Sequence, residues 1–312
     1  MVDEKGMGDF QMDLKLFGLS LAGAVAVNTG FAIAADLAPP PAQQPPFSLH
    51  GFADLSLKND YITPRGLLVT NKGATLQSLN GLVLDIYNNP AGFISDVSLI
   101  GGTWLDINPG YQAPNTNSFN EIDYFGGVSV KFGQAWTFGA QYVQFDSPQS
   151  AFFVERNLEF QLQYDDSGWN SILPLNPYVK LFYTFKGQSS TVVTGQTATF
   201  DVEIGAVPKF DLTPHGLPVI LSAPTWFTVG PSEFWGGASN FGVFSTGLLA
   251  TVPLPGIPAI GTWSPHWALH GGVRYYYELN DRLLLAQTLV GTAAPGTHRS
   301  VVVPTIGISM DF

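Results

Sequence analysis

From Phe47 to Phe312, apolar and polar residues alternate with a period of two, the repeat of strands whose two faces meet different surroundings. Phe47, Leu49, Gly51, Ala53, Leu55 and Leu57 interleave with Ser48, His50, Phe52, Asp54, Ser56 and Lys58. Ile122, Tyr124, Val128 and Val130 interleave with Glu121, Asp123, Ser129 and Lys131. The pattern returns in Leu158, Phe160 and Leu162 against Asn157, Glu159 and Gln161, and in Val179, Leu181 and Tyr183 against Lys180, Phe182 and Thr184. Val202 and Ile204 flank Glu203 and follow Asp201, while Trp267, Leu269 and Val273 alternate with His270, Arg274 and Glu278.

These runs predict twelve strands, at about 47–60, 74–88, 93–106, 120–132, 136–147, 155–166, 177–187, 198–210, 219–230, 241–253, 266–279 and 300–312. An even number places both chain ends on one side. Tight turns at Asn88–Gly92 and Gly133–Ala135 mark that side as periplasmic, together with the longer 166–176 and 253–265 connections. The segments 62–73, 108–119, 186–197 and 231–240 would be extracellular. Asp281–Val290 could add a thirteenth strand and force fourteen. Asn280 is a good N-cap, however, and the Leu, Ala and Gln after it favour a short helix in the last extracellular loop.

A soluble sheet also alternates, but these strands run well beyond the usual 5 to 6 residues, near the roughly 9 to 11 needed to cross a bilayer at a tilt. Trp104, Trp136, Phe145, Trp169, Phe185, Trp226 and Trp267 fall near strand ends, where interfacial aromatic girdles would sit. Charged residues make up only 12% of the chain and aromatic residues 13%. No apolar run past the first forty positions is long enough for a spanning helix. The predicted fold is therefore all-β, a closed antiparallel transmembrane barrel over 47–312. Its last strand carries apolar residues at 302, 304, 306, 308, 310 and 312 and ends in Phe312, which looks like the C-terminal signature of outer-membrane proteins.

Before the barrel, Lys15, the apolar stretch Leu16–Val27 and Ala32-Ile33-Ala34 form a secretion signal with an A-x-A cleavage site. Residues 1–34 are read as that signal, with Met12 an alternative start, and 35–46, rich in proline, as a periplasmic linker. The expected location is the outer membrane, with its lipid bilayer as a partner.

The sequence has no cysteine, so disulfides and thiol chemistry drop out. A net charge of −11 with scattered Lys and Arg argues against a nucleic-acid partner. His266 and His270 share a strand face but lie too far apart for one metal, and no nucleophile and base are placed together. No enzyme, metal or cofactor is expected, and oligomeric state is not legible. What remains is the polar face, where Asp54, Asp85, Asp96, Glu121, Asp123, Glu159, Asp165, Asp201, Glu203 and Glu278 meet Lys58, Lys131, Lys180, Lys186 and Arg274. The expected pore-lining set is Asp54, Lys58, Asp96, Glu121, Asp123, Glu159, Lys180, Asp201, Glu203, His270, Arg274 and Glu278. Carboxylate-rich linings favour cations, so the expected function is passive diffusion of small polar or cationic solutes. The alternative is a plugged structural or interaction barrel whose interior charges satisfy one another.

The segment Lys58-Asn59-Asp60-Tyr61-Ile62-Thr63-Pro64-Arg65-Gly66, with Gly81–Tyr87 and the Gly92-Phe93 hairpin running to Trp104, resembles a proteobacterial outer-membrane porin family of unknown function. The resemblance covers about residues 47–106 and implies a barrel and passive transport without a defined substrate. Pro64 stands where that family more often has an aromatic or polar residue. Arg65, at the mouth, could pair with lumen carboxylates or be a solvated loop cation.

Overall fold

The computed structural model describes residues 47–71, 73–109, 118–150, 152–187, 198–255, 265–289 and 298–312. The predicted signal and linker, 1–46, lie outside the described residues, as do parts of the 108–119, 186–197 and 253–265 connections. The chain forms a closed antiparallel barrel. Its strands are β1 (Ser48–Lys58), β4 (Thr75–Asn88), β5 (Ile94–Ile107), β6 (Phe119–Phe132), β7 (Trp136–Asp146), β8 (Glu155–Tyr164) and β9 (Tyr178–Lys186). They continue with β10 (Thr199–Ala206), β13 (Thr225–Val229), β14 (Phe241–Leu254), β15 (His266–Glu278) and β16 (Ser300–Asp311). Each pairs with the next in chain order, and β16 returns to β1, so no edge is left open. Twelve strands make the wall, as the alternation predicts.

Two predicted strands are interrupted. The run 198–210 divides into β10 and β11 (Lys209–Asp211), and 219–230 into β12 (Ile220–Ser222) and β13. Pro208 and Pro224 sit in the two breaks, and a proline cannot donate to a strand ladder. Register is kept across the gap: Gly205 faces Trp226, Lys209 faces Ser222, and the Ala223 amide donates to the Pro208 carbonyl at 2.9 Å. After Glu278 the chain forms helix α1 (Asp281–Leu289) rather than a thirteenth strand. The Asn280 side chain accepts from the Arg282 amide at 2.9 Å, the N-cap bond the sequence implies.

The two faces invert the arrangement of a water-soluble protein. Leu49, Leu82, Leu248, Val302 and Ile306 are among the large apolar side chains exposed on the outside, with Ile306 63% exposed. Asp201, Glu159, Lys180, Arg274 and Glu278 are buried inside. One sequence expectation is corrected here. Trp104, Phe145 and Trp226 do not belong to an outer aromatic girdle but are buried in the interior, because each shares the strand parity of inward polar neighbours such as Asp96, Gln141 and Thr228. The inner wall therefore carries an apolar strip as well, in which Phe52, Leu79, Val83, Ile100, Phe125 and Val143 pack together.

The seam is closed by the last residue. The Gly51 amide donates to the Phe312 carbonyl at 3.1 Å and the Phe312 amide to the Gly51 carbonyl at 3.0 Å. The Phe312 ring lies over Gly51, so closely that a Cβ there would come within 2.0 Å of it. Deleting Phe312 removes both bonds and the ring. The expected outcome is a reduced yield of heat-modifiable barrel on electrophoresis, and unchanged yield would show that the seam does not need this residue.

Candidate solute pathway

The connection from β1 to β4 does not project outward but folds back into the barrel mouth. It contains a small hairpin, β2 (Tyr61–Ile62) with β3 (Leu68–Thr70), which the sequence reading leaves as a loop because such short strands show no periodicity. Gly66 makes the turn possible: its φ is +92°, and a Cβ would stand 2.8 Å from Leu283 and 2.9 Å from Val243. The Gly66 amide donates to the Thr63 carbonyl at 2.9 Å. Ile62 and Leu68 pack on Trp226, Val243, Tyr276, Val301 and Val303. Tyr61 packs against Trp104 with ring centroids 5.3 Å apart and planes tilted by 46°, and donates to Glu121 Oε2 at 2.9 Å. Helix α1 closes over the same mouth, where Leu283 packs with Phe234 and Trp235, and Gln287 donates to Glu278 at 2.5 Å.

Arg65, at the hairpin tip, reaches the acidic wall. Its Nε donates to Asp201 Oδ1 at 3.2 Å, and Nη2 lies 3.9 Å from Glu159 Oε1. The guanidinium covers the Phe182 ring at 4.3 Å and the Phe145 ring at 5.3 Å. Burial works against its charge, but Asp201, Glu155 and Glu159 together outweigh burial and raise its pKa above the usual value. Arg65 is thus a buried lumen cation rather than a solvated one.

Of the twelve residues expected to line the interior, eleven are buried and Lys58 is partly buried. The structure brings them into local groups. Glu159 Oε2 accepts from Gln141 Nε2 and forms an ion pair with Lys180 Nζ, each at 2.8 Å. Asp54 pairs with His270 Nε2 at 2.6 Å and accepts from Ser56 at 2.6 Å. Asp96 accepts from Ser98 at 2.8 Å. Glu203 Oε1 accepts from Tyr178 at 2.6 Å, and Lys58 Nζ donates to Gln77 at 2.5 Å. Asp123 is buried two residues along the strand from Glu121, on the same face.

Lys186, on the wider sequence list of inward charges, is instead exposed at the rim. Two carboxylates that list omits, Asp106 and Glu155, are fully buried inside. Asp106 accepts from Asn120, Gln77 and Thr75, and Glu155 from Asn157 at 2.9 Å. Extending strand parity from Asp96 to 106 and from Glu159 back to 155 would have found both.

The interior carboxylates are concentrated on one part of the wall. Asp106, Glu121, Asp123, Glu155, Glu159, Asp201 and Glu203 project from β5, β6, β8 and β10. Lys58 and Arg274 come from β1 and β15 on the other side of the ring, where Asp54 and Glu278 also stand, while Lys180 of β9 lies among the acids. A cavity of about 10 Å³, room for roughly one water molecule, lies beside Gln141, Glu159, Gln161 and Lys180.

No family model and no curated protein matches the chain. Solved barrels do. A chain described as a bacterial polysaccharide outer membrane secretin aligns with a TM-score of 0.41 at 10% identity, covering 85% of this chain and 97% of its own. A porin aligns with a TM-score of 0.32 at 12% identity, covering 85% and 100%. OprB of Pseudomonas putida aligns at 0.30 and 9%, covering 85% and 92%. Likeness of this degree assigns no function, so the resemblance over residues 47–106 rests on those residues alone.

Proposed function

We propose that the protein is an outer-membrane barrel, exported by a signal at 1–34 and joined to it by the 35–46 linker, that passes small polar and cationic solutes through a constricted lumen. The observation that carries this reading is the inverted surface with incompletely satisfied charge inside. An apolar outer belt is at home in lipid, where a closed barrel is one of two structures that satisfy the whole backbone. Inside, Asp123 Oδ1, Glu203 Oε2 and Glu278 Oε2 are buried without a hydrogen-bond partner among the described residues. A polar group left unmet in a dry interior costs about 1–3 kcal/mol, so the lumen is read as hydrated. The constriction is narrow, because the lining side chains cover one another and the 61–70 hairpin occupies the mouth.

The carboxylate excess on one wall sets the sign of selectivity, because a low-dielectric wall focuses its field into the pore. Planar-bilayer recording of the refolded protein is expected to show small unitary conductance with cation preference. That preference should fade toward 1 M salt, where the Debye length is about 3 Å, and fall in Glu159→Gln and Glu203→Gln. Anion preference, or no conductance above the bare bilayer, would overturn the proposal.

One observation favours the plugged barrel as a second reading. Arg65 is 1% exposed and is bonded from the inserted hairpin to the far wall. On that reading the wild type is silent and only variants that free the hairpin conduct.

A further inference from the structure

Arg274 differs from the other interior cations. It projects from β15 and is 3% exposed. No carboxylate lies within ion-pair distance among the described residues, and its Nε and Nη1 have no hydrogen-bond partner. Its guanidinium is stacked 4.3 Å over the Trp226 ring. The residue directly opposite on β14 is Gly247, so that neighbour places no side chain over the guanidinium. Thr305 on β16 and Ser245 on β14 turn buried hydroxyls inward, and both oxygens lack partners among the described residues.

A carboxylate with one oxygen unengaged stands nearby, opposite Lys180 of β9. Glu203 is 2% exposed and uses one oxygen for Tyr178, while Oε2 has no partner. Glu203 and Arg274 are close enough to act on each other electrostatically yet do not form an ion pair. Trp226 stands between their strands, opposite Gly205 of β10 and Ser245 of β14. A guanidinium with free forked donors binds a carboxylate in two-point geometry. The carboxylate oxygen of Glu203 that Tyr178 leaves free suits an ammonium, which would give it a charge-assisted hydrogen bond.

We infer that Arg274, Trp226 and Glu203 form a binding site in the lumen for a small zwitterionic solute of the α-amino-acid type. The solute's carboxylate meets Arg274, and its ammonium meets Glu203. The inference deepens the proposed function by naming a solute class, and it rests on that reading because the site must be reachable from water. A solute carrying both charges satisfies both orphaned groups at once, whereas acetate or methylammonium satisfies one and leaves the other buried and unpaired. Discrimination by unmet polar groups is strong.

The test is titration calorimetry of the refolded full-length barrel with L-alanine, acetate and methylammonium, run beside bilayer recording of the same preparation. Saturable alanine binding is expected, with at least about tenfold weaker binding of either singly charged probe, the equivalent of about 1.4 kcal/mol. Arg274→Gln and Glu203→Gln should each weaken alanine binding by a similar factor. Arg274→Lys, which keeps the charge but loses the forked donors, should weaken it less. Wild-type comparison of the three probes needs no variant to fold. Acetate binding as tightly as alanine would overturn the zwitterion assignment in favour of a simple anion site. Absence of alanine binding in a barrel that conducts would overturn the inference and leave the channel standing. A barrel that neither conducts nor binds alanine would overturn both.

Discussion

Replacing Arg65 by Ala is expected to lower the unfolding free energy of the barrel by about 3–5 kcal/mol, the usual effect of removing one partner from a buried ion pair. Asp201 is fully buried, and its Oδ1 is the oxygen that Arg65 Nε engages, while Glu159 keeps Lys180 but loses its second cation. The variant leaves the Asp201 carboxyl buried without its cation and strips the cover from Phe182. The second effect is on conduction. The hairpin is held from its tip by Arg65 and from its base by Tyr61, so releasing the tip should raise unitary conductance several-fold and strengthen cation preference. Urea titration followed by gel mobility reads the first effect, and bilayer recording reads the second. Unchanged conductance in a folded Arg65→Ala barrel would show that the hairpin does not set the constriction.

The second large effect is expected at Gly102. On the inner face Gly102 stands opposite Gly81 of β4, and the rings of Phe125 and Phe52 lie over the two glycines. A Cβ on Gly102 would come within 2.1 Å of the Asn80 carbonyl and 2.5 Å of the Phe125 ring. The nearest atom is backbone, which has nowhere to retreat in a closed wall. Gly102→Val should cost about 1–3 kcal/mol or more through overpacking and displace Phe125 from the apolar strip. Gly126, by contrast, would meet its nearest atom, the Ile100 carbonyl, only at 3.7 Å, so Gly126→Ala serves as the mild control. Equal stability of the two variants, read by urea midpoint, would discount the close approach at Gly102.

Much of the wall is legible in the sequence. The alternation continues unbroken along Ile122–Phe132 and Trp267–Glu278, so strand limits and facing follow from parity alone. The helix after Asn280 is legible because a cap and a set of helix formers coincide. Legibility fails where a feature depends on depth or on distant register. Trp104 and Trp226 stand near strand ends, and position in sequence suggested an interface, although their parity already pointed inward. The inserted hairpin has strands of two and three residues, too short to show a period. That Arg65 finds Asp201, and that Arg274 finds no carboxylate among the described residues, depends on the pairing of strands far apart in the chain. Composition along one strand does not reveal it.

The seam between β1 and β16 has a kinetic consequence. These are the first and last strands of the wall, so their contacts carry the largest loop-closure cost of any pair, and contacts of long sequence separation slow folding. Until they meet, the intermediate is a curled sheet with two unpaired edges and an apolar outer face. Such edges template association between chains. Closure must therefore come late and be protected until it happens. The rate-limiting barrier should respond to substitutions at Gly51 and Phe312 far more than to equally destabilising ones at the β6–β7 turn.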